Sequence, residues 1–159
     1  FFKKDEISEL ALAMDADEPD AAWVKFVLYR SAAENHRGSN ALSFLAEAVK
    51  LDNIYAMEYL NLSEVAYDKG RPDEAMRMLS MAATTFPENV QIKLKMAQLA
   101  TDMGEKETAL HLITQLQQLD WSPVYYPDMP KYLQGFTAYL KGEATKNPAK
   151  DPRRQRILK

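Results

Sequence analysis

The residues that could support catalysis are few and widely separated in this sequence. His36 and His111 lie 75 residues apart, and neither has a second histidine at the spacing of a helical metal site. The chain has no cysteine, and its five glycines are isolated rather than gathered in a phosphate-binding loop. Ser63 and Ser80 lack the Gly-x-Ser-x-Gly context of a nucleophile elbow. The sequence therefore predicts a protein that is not an enzyme and holds no metal and no cofactor.

The elements that position any functional group are predicted to be helices. Among the apolar residues, 21 Ala, 18 Leu and 8 Met outnumber 6 Val and 5 Ile, which favours helices over strands. With 47% apolar residues over 159 positions, the chain is long enough for one well-buried core. The net charge of −3 argues against a nucleic-acid partner. The expected fold class is all-α.

The chain's beginning suggests that it belongs to a longer protein. It starts with Phe1-Phe2-Lys3-Lys4, without an initiator Met and without the apolar core of a signal peptide. No stretch approaches the roughly 18 apolar residues of a membrane span, so the chain itself is not expected to be transmembrane. Whether the longer protein spans a membrane is not indicated by this sequence. The sequence therefore does not indicate the compartment. The two options are the cytoplasm and, if a membrane anchor precedes Phe1, the periplasm.

Residues of the same type recur at an interval of 34 positions. The interval divides the middle of the chain into three units, at 22–55, 56–89 and 90–123. The clearest matches are Gly70 with Gly104, Ala66 with Ala100, Ala75 with both Ala41 and Ala109, and Leu79 with both Leu45 and Ile113. Such a period predicts helix pairs that bury their apolar faces by stacking on neighbouring pairs.

The middle unit resembles the tetratricopeptide repeat (TPR), a 34-residue helix-turn-helix. The resemblance rests on a spaced set of large, small, turn and terminal residues: Tyr59, Leu62, Ser63, Ala66, Gly70, Ala75, Leu79, Ala82 and Pro87. It implies a right-handed superhelical α-solenoid of antiparallel helix pairs. The outer units depart from the pattern, with Lys25, Tyr29 and His36 in the first, and Lys93 and Trp121 in the third.

The segments outside the three units have separate expectations. Residues 1–21 are predicted to form a helix, either an independent element or the second half of a truncated repeat. Residues 124–141 are predicted to form a helix that caps the stack, or alternatively one that folds into the array's own groove. Its apolar face comprises Tyr132, Leu133, Phe136, Tyr139 and Leu140. Residues 142–159 are expected to be a polar, basic and poorly packed tail.

The resemblance implies a binding groove lined by the first helix of each repeat. The residues at those positions are Trp23, Phe26, Arg30, Met57, Leu60, Asn61, Glu64, Tyr67, Gln91, Leu94, Lys95 and Gln98. Of the Lys, Asn and Arg pattern that grips a peptide's terminal carboxylate, only Asn61 matches, with Lys95 in place of an arginine. An apolar strip of Trp23, Phe26, Met57, Leu60 and Leu94 instead favours an apolar peptide or helix.

The expected function is therefore that of a protein-protein interaction module or scaffold. Its predicted partner is a peptide, a helix or a subunit of an assembly. The alternative is a regulatory or positioning TPR domain of a larger, possibly membrane-bound enzyme. The oligomeric state is not indicated by the sequence.

Overall fold

The computed structural model describes residues 4–34 and 38–150, and over these ranges the protein is entirely helical. His36 and residues 151–159 lie outside the described residues. The described part contains eight α-helices, two short 3₁₀ turns and no β-strand, so the predicted all-α class is confirmed. The helices are α1 Lys4–Asp17, α2 Ala22–Glu34, α3 Gly38–Leu51, α4 Glu58–Asp68, α5 Pro72–Thr85, α6 Val90–Asp102, α7 Lys106–Gln117 and α8 Met129–Leu140.

The chain divides into two compact units after Glu58. Unit one contains α1, α2, α3 and the 3₁₀ turn Asn53–Met57, and unit two contains α4 from Tyr59 onward through the 3₁₀ turn Pro148–Lys150. No helix in the described ranges is long and apolar enough to cross a membrane.

Unit one is built around α2, which packs against α1 on one side and α3 on the other. Small and branched apolar side chains form its interior, because they let the helices approach closely. The fully buried set includes Ala11, Val24, Leu28, Ala41, Leu45 and Ala48. After α3, the carboxylate of Asp52 accepts a hydrogen bond from the backbone N–H of Ile54 (3.1 Å) and so begins the 3₁₀ turn.

An ion triad of Lys25, Asp15 and Glu47 joins the three helices of unit one. The Lys25 ammonium of α2 lies 2.8 Å from the Asp15 carboxylate of α1 and 3.0 Å from the Glu47 carboxylate of α3. The hydrogen bonds to Asp15 and then to Glu47 raise the pKa of Lys25 above its usual value. The lysine at this position is therefore held by carboxylates from both neighbouring helices.

Helix ends in unit two follow the local chemistry of the sequence. After α4, Gly70 has φ 72°, and the Arg71 N–H donates to the Ala66 carbonyl (2.9 Å), which closes the helix in a Schellman motif. Gly104 (φ 80°) closes α6 in the same way, through the N–H of Glu105 and the carbonyl of Ala100. These glycines reverse the chain within a few residues, so α5 and α7 start directly afterwards.

The core of unit two is shared by α6, α7 and α8. Helix α6 packs against α5 and α7, and α8 packs against α7. The apolar cluster contains Leu94, Ala97 and Ala100 of α6, Ala109, Ile113 and Leu116 of α7, and Met129, Leu133, Phe136 and Leu140 of α8. The predicted apolar face of α8 is confirmed for Leu133, Phe136 and Leu140, while Tyr132 and Tyr139 are half-buried.

Three helices share a common starting pattern. Helices α3, α5 and α7 begin at residues 38, 72 and 106, at intervals of 34. In each helix the fourth residue is a buried alanine, namely Ala41, Ala75 and Ala109. The same small side chain thus enters the interior one turn after each helix begins.

The connection from α7 to α8 is anchored at its start and exposed at its middle. Trp121 donates its indole N–H to the Leu116 carbonyl (2.8 Å), and its ring makes a T-shaped contact with Tyr126, with the ring centroids 5.3 Å apart. Val124 and Tyr125 are 80% and 79% exposed. Asp128 occupies the N-cap position of α8 but makes no side-chain cap bond, because its backbone is helical (φ −94°, ψ −7°) rather than extended.

The segment that follows α8 differs from the expected poorly packed tail. Pro148 and Ala149 are buried in the 3₁₀ turn Pro148–Lys150, which contacts both α6 and α8. The Asn147 side-chain oxygen accepts a hydrogen bond from the Ala149 N–H (2.9 Å), so a local turn presents two small apolar residues to the core. The prediction was wrong for this turn because it depended on the average composition of the segment, which is polar.

Candidate interaction surface

The twelve predicted groove residues fall into three classes of exposure. Trp23, Arg30, Asn61, Glu64, Tyr67 and Gln91 are exposed. Phe26, Met57 and Lys95 are half-buried. Leu60, Leu94 and Gln98 are buried, so the surface contains less of the expected apolar strip than the repeat positions imply. The structure thus offers a mainly polar surface with a few aromatic residues.

In unit one, two predicted residues of α2 make contacts: Phe26 with Tyr55 of the turn after α3, and Arg30 with Glu58 at the start of α4. The Phe26 ring stacks on Tyr55 with centroids 4.8 Å apart and an interplanar angle of 26°. The Arg30 guanidinium lies 3.6 Å from a Glu58 carboxylate oxygen, which also accepts a hydrogen bond from the Tyr29 hydroxyl (2.8 Å). Trp23, by contrast, leaves 45% of its surface exposed. An aromatic anchor for a partner is therefore available there, whereas the Arg30 charge is largely offset.

In unit two, polar pairs connect α4 with α6. The Lys95 ammonium is paired with the Glu64 carboxylate. The Tyr67 hydroxyl donates to the Asp102 carboxylate at 2.6 Å. Since both pairs join successive first helices of the predicted repeats, they hold the exposed sides of α4 and α6 next to each other. We call this surface the α4–α6 face and define it by Asn61, Glu64, Tyr67, Gln91, Lys95 and Asp102.

A third pair connects α6 with α8. The buried Gln98 amide donates to the Tyr132 hydroxyl at 3.0 Å. Gln98 and Leu94 lie on the same stripe of α6 as Gln91, Lys95 and Asp102, because these positions follow the i, i+3, i+4 spacing of one helical side. The polar stripe of α6 therefore continues from the α4–α6 face to α8.

The structure adds residues that the sequence reasoning did not select. Asp102 and Tyr132 complete cross-helix pairs in unit two, and Tyr55 and Glu58 do so in unit one. The sequence contains a signal for the contacts in unit two, because the paired residues are separated by nearly one repeat length. The separation is 31 residues for Glu64 and Lys95, 35 for Tyr67 and Asp102, and 34 for Gln98 and Tyr132. Complementary residue types at that separation would have predicted these contacts.

The α4–α6 face has a small negative balance of charge. Lys95 is its one cation, and Glu64 and Asp102 are its two carboxylates. Lys95 and Arg30, whose charges would otherwise favour an acidic or carboxylate-bearing partner, both lie against carboxylates. A neutral or basic segment is therefore electrostatically better matched to this face.

The groups that could hold a metal or perform acid-base chemistry do not converge. Within the described ranges, no three His, Cys, Asp or Glu side chains are grouped in a way that could hold a metal ion. His111 is exposed on α7, with its Nε2 3.0 Å from the Gln115 amide nitrogen.

The chain matches no protein-family model. Comparison with curated proteins gives no match either. The function has to be inferred from the residues and their geometry.

Proposed function

We propose that this chain is a non-enzymatic protein-interaction module, with helix pairs arranged as TPR-like repeats in a right-handed α-solenoid, that binds a partner peptide or helix on the α4–α6 face. The observation that carries the proposal is the pair of cross-helix contacts, Glu64 with Lys95 and Tyr67 with Asp102. They fix two neighbouring helices so that one partner segment can contact both.

The composition of the face supports a binding role. Tyr67 is exposed although its hydroxyl is bonded, so its ring can contact a ligand while its position is already fixed. A rigid aromatic side chain loses little conformational entropy on binding, which is why tyrosine is frequent among the residues that dominate interface energy. Gln91 adds an exposed amide that can bond to the backbone of an extended segment.

The regular spacing of the helices supports the repeat interpretation. Helices that start at 34-residue intervals and carry a buried alanine at the same position agree with the TPR period. In such arrays the first helices present the binding residues, and here α4 and α6 are the corresponding helices.

The test is an affinity capture with variants of the α4–α6 face. We expect Tyr67→Ala to weaken partner binding by about 2 kcal/mol, as for a central aromatic contact, and Asp102→Lys to weaken the binding of a neutral or basic segment. The matched control is Arg77→Glu, an exposed charge reversal on α5. Captured proteins are identified by mass spectrometry, and the Kd of the purified partner is measured by titration calorimetry.

Circular dichroism first establishes that all variants are folded, so that a change in binding can be assigned to the substituted residue. Loss of one partner with both face variants and its retention with Arg77→Glu supports the proposal. Equal binding of that partner by all three variants excludes the α4–α6 face as the site.

A further inference from the structure

The C-terminal 3₁₀ turn covers part of the stripe on α6 that the repeat pattern assigns to ligand binding. The turn contacts α6 and α8, and Ala149 belongs to the same apolar cluster as Leu94. Leu94 and Gln98 are each only 1% exposed. The α6–α8 surface, defined by Leu94, Gln98 and Tyr132, is therefore covered by residues of the chain itself.

Polar contacts at this surface are also made to the covering segment. The Gln98 amide nitrogen donates to the Tyr132 hydroxyl, and the Tyr132 hydroxyl lies 3.5 Å from the Pro148 carbonyl oxygen, as a potential donor. Asn147 shapes the segment by accepting the Ala149 N–H. The segment thus contacts the surface as a bound peptide would, through a backbone carbonyl and a small buried side chain.

One polar group at this surface is left unsatisfied. The side-chain oxygen of Gln98 is buried and has no hydrogen-bond partner. A buried acceptor without a donor costs free energy, so a ligand that brings an N–H to this oxygen gains a bond that the chain's own segment does not make.

We propose that residues 147–150 are an internal ligand that occupies a peptide-binding site on the α6–α8 surface and competes there with a partner segment. The partner would be a short peptide segment with a small apolar residue at the place of Ala149 and an N–H donor for Gln98. The proposal rests on the proposed binding function for its biological role, but the occupancy of the site by residues 147–150 can be tested without any partner.

The experiment uses the full chain and a fluorescent synthetic peptide of residues 144–150. Ala149→Arg in the full chain places a large charged group in the buried position, so it should release the segment and open the site. We expect this variant to bind the peptide at least about tenfold more tightly than the parent chain, because a site that is mostly covered binds in proportion to its open fraction. Fluorescence anisotropy gives the affinities.

Matched controls distinguish opening of the site from nonspecific effects. Thr145→Arg introduces the same group at an exposed position of the same segment and should bind the peptide as weakly as the parent chain. A peptide with Arg at the place of Ala149 should not bind any variant. Asn147→Ala removes only the hydrogen bond to the Ala149 N–H, so it should open the site by a smaller factor. It replaces Ala149→Arg as the test variant if Ala149→Arg loses helical content.

One result would overturn the inference: a folded Ala149→Arg or Asn147→Ala chain binds the peptide no more tightly than the parent chain does, which would mean that residues 147–150 do not compete for the site. A failure of Tyr67→Ala and Asp102→Lys to affect a partner would bear on the α4–α6 face and leave this inference standing.

Discussion

Lys25 shows how a single side chain can replace an apolar contact by a charged one. Its ammonium is close to carboxylates from two other helices, and its own side chain is mostly covered. Because the folded-state pKa is raised above 10.5, the stabilisation is fully present below about pH 10.5 and is lost as the pH rises through the folded-state value.

Replacing Lys25 by Met should therefore destabilise unit one in a pH-dependent manner. We expect Lys25→Met to lower the free energy of unfolding by about 1–2 kcal/mol at pH 7, since it leaves two carboxylates without their shared cation. Thermal melts of both proteins give the difference, which should shrink above pH 10.5. Lys50→Met, an exposed change on α3, is the control. A difference in Tm that is constant up to and beyond that pH would contradict the ion-triad account.

At the scale of the element, replacement of glycine by alanine is expected to have opposite effects on stability at two positions of unit two. Neither Gly104 nor Gly135 has any atom within 4 Å of the place a Cβ would occupy, so steric contact does not distinguish them. Gly104 has φ 80°, whereas Gly135 lies inside α8. Gly104→Ala should therefore destabilise by about 1 kcal/mol through backbone strain, and Gly135→Ala should stabilise by about 0.5–1 kcal/mol.

Urea unfolding of the two variants measures this contrast directly. The slope with denaturant should be the same for both, because neither change alters the surface that unfolding exposes. Gly104→Asn should recover part of the loss, since asparagine tolerates the left-handed region better than alanine. If both alanine variants shifted in the same direction, the closure of α6 by a left-handed residue would not be the feature that determines its end.

At the scale of the whole molecule, the sequence predicted those features that depend on local chemistry. Helical content followed from composition, and Gly70 and Gly104, which the 34-residue interval pairs, lie at the ends of α4 and α6. The apolar face of α8 followed from residue spacing. Each of these depends on a few neighbouring residues, so a single sequence contains the required information.

The candidate site was predicted less completely, because burial depends on distant residues. Leu94 and Gln98 occupy ligand-facing positions in the repeat pattern, yet both are buried, and a turn about fifty residues later contacts their helix. The buried residues of that turn, Pro148 and Ala149, lie within a segment rich in lysine, whose average polarity predicts solvation. The charge partners were not predicted for a similar reason, because the contact of Lys95 with Glu64 joins two different helices.

The exposed connection between α7 and α8 has a consequence for limited proteolysis. Chymotrypsin should cut first after Tyr125, since this ring projects from an irregular segment, whereas the exposed Trp23 and Tyr67 lie within helices. The bond after Tyr126 precedes Pro127 and should resist. The two fragments should still elute together in gel filtration, because Leu133 and Phe136 remain packed in the shared core. Separate elution of the fragments would show that covalent continuity is needed to retain α8. A retained α8 would make the nicked protein a fragment-complementation system, in which a synthetic, labelled α8 could replace the native one.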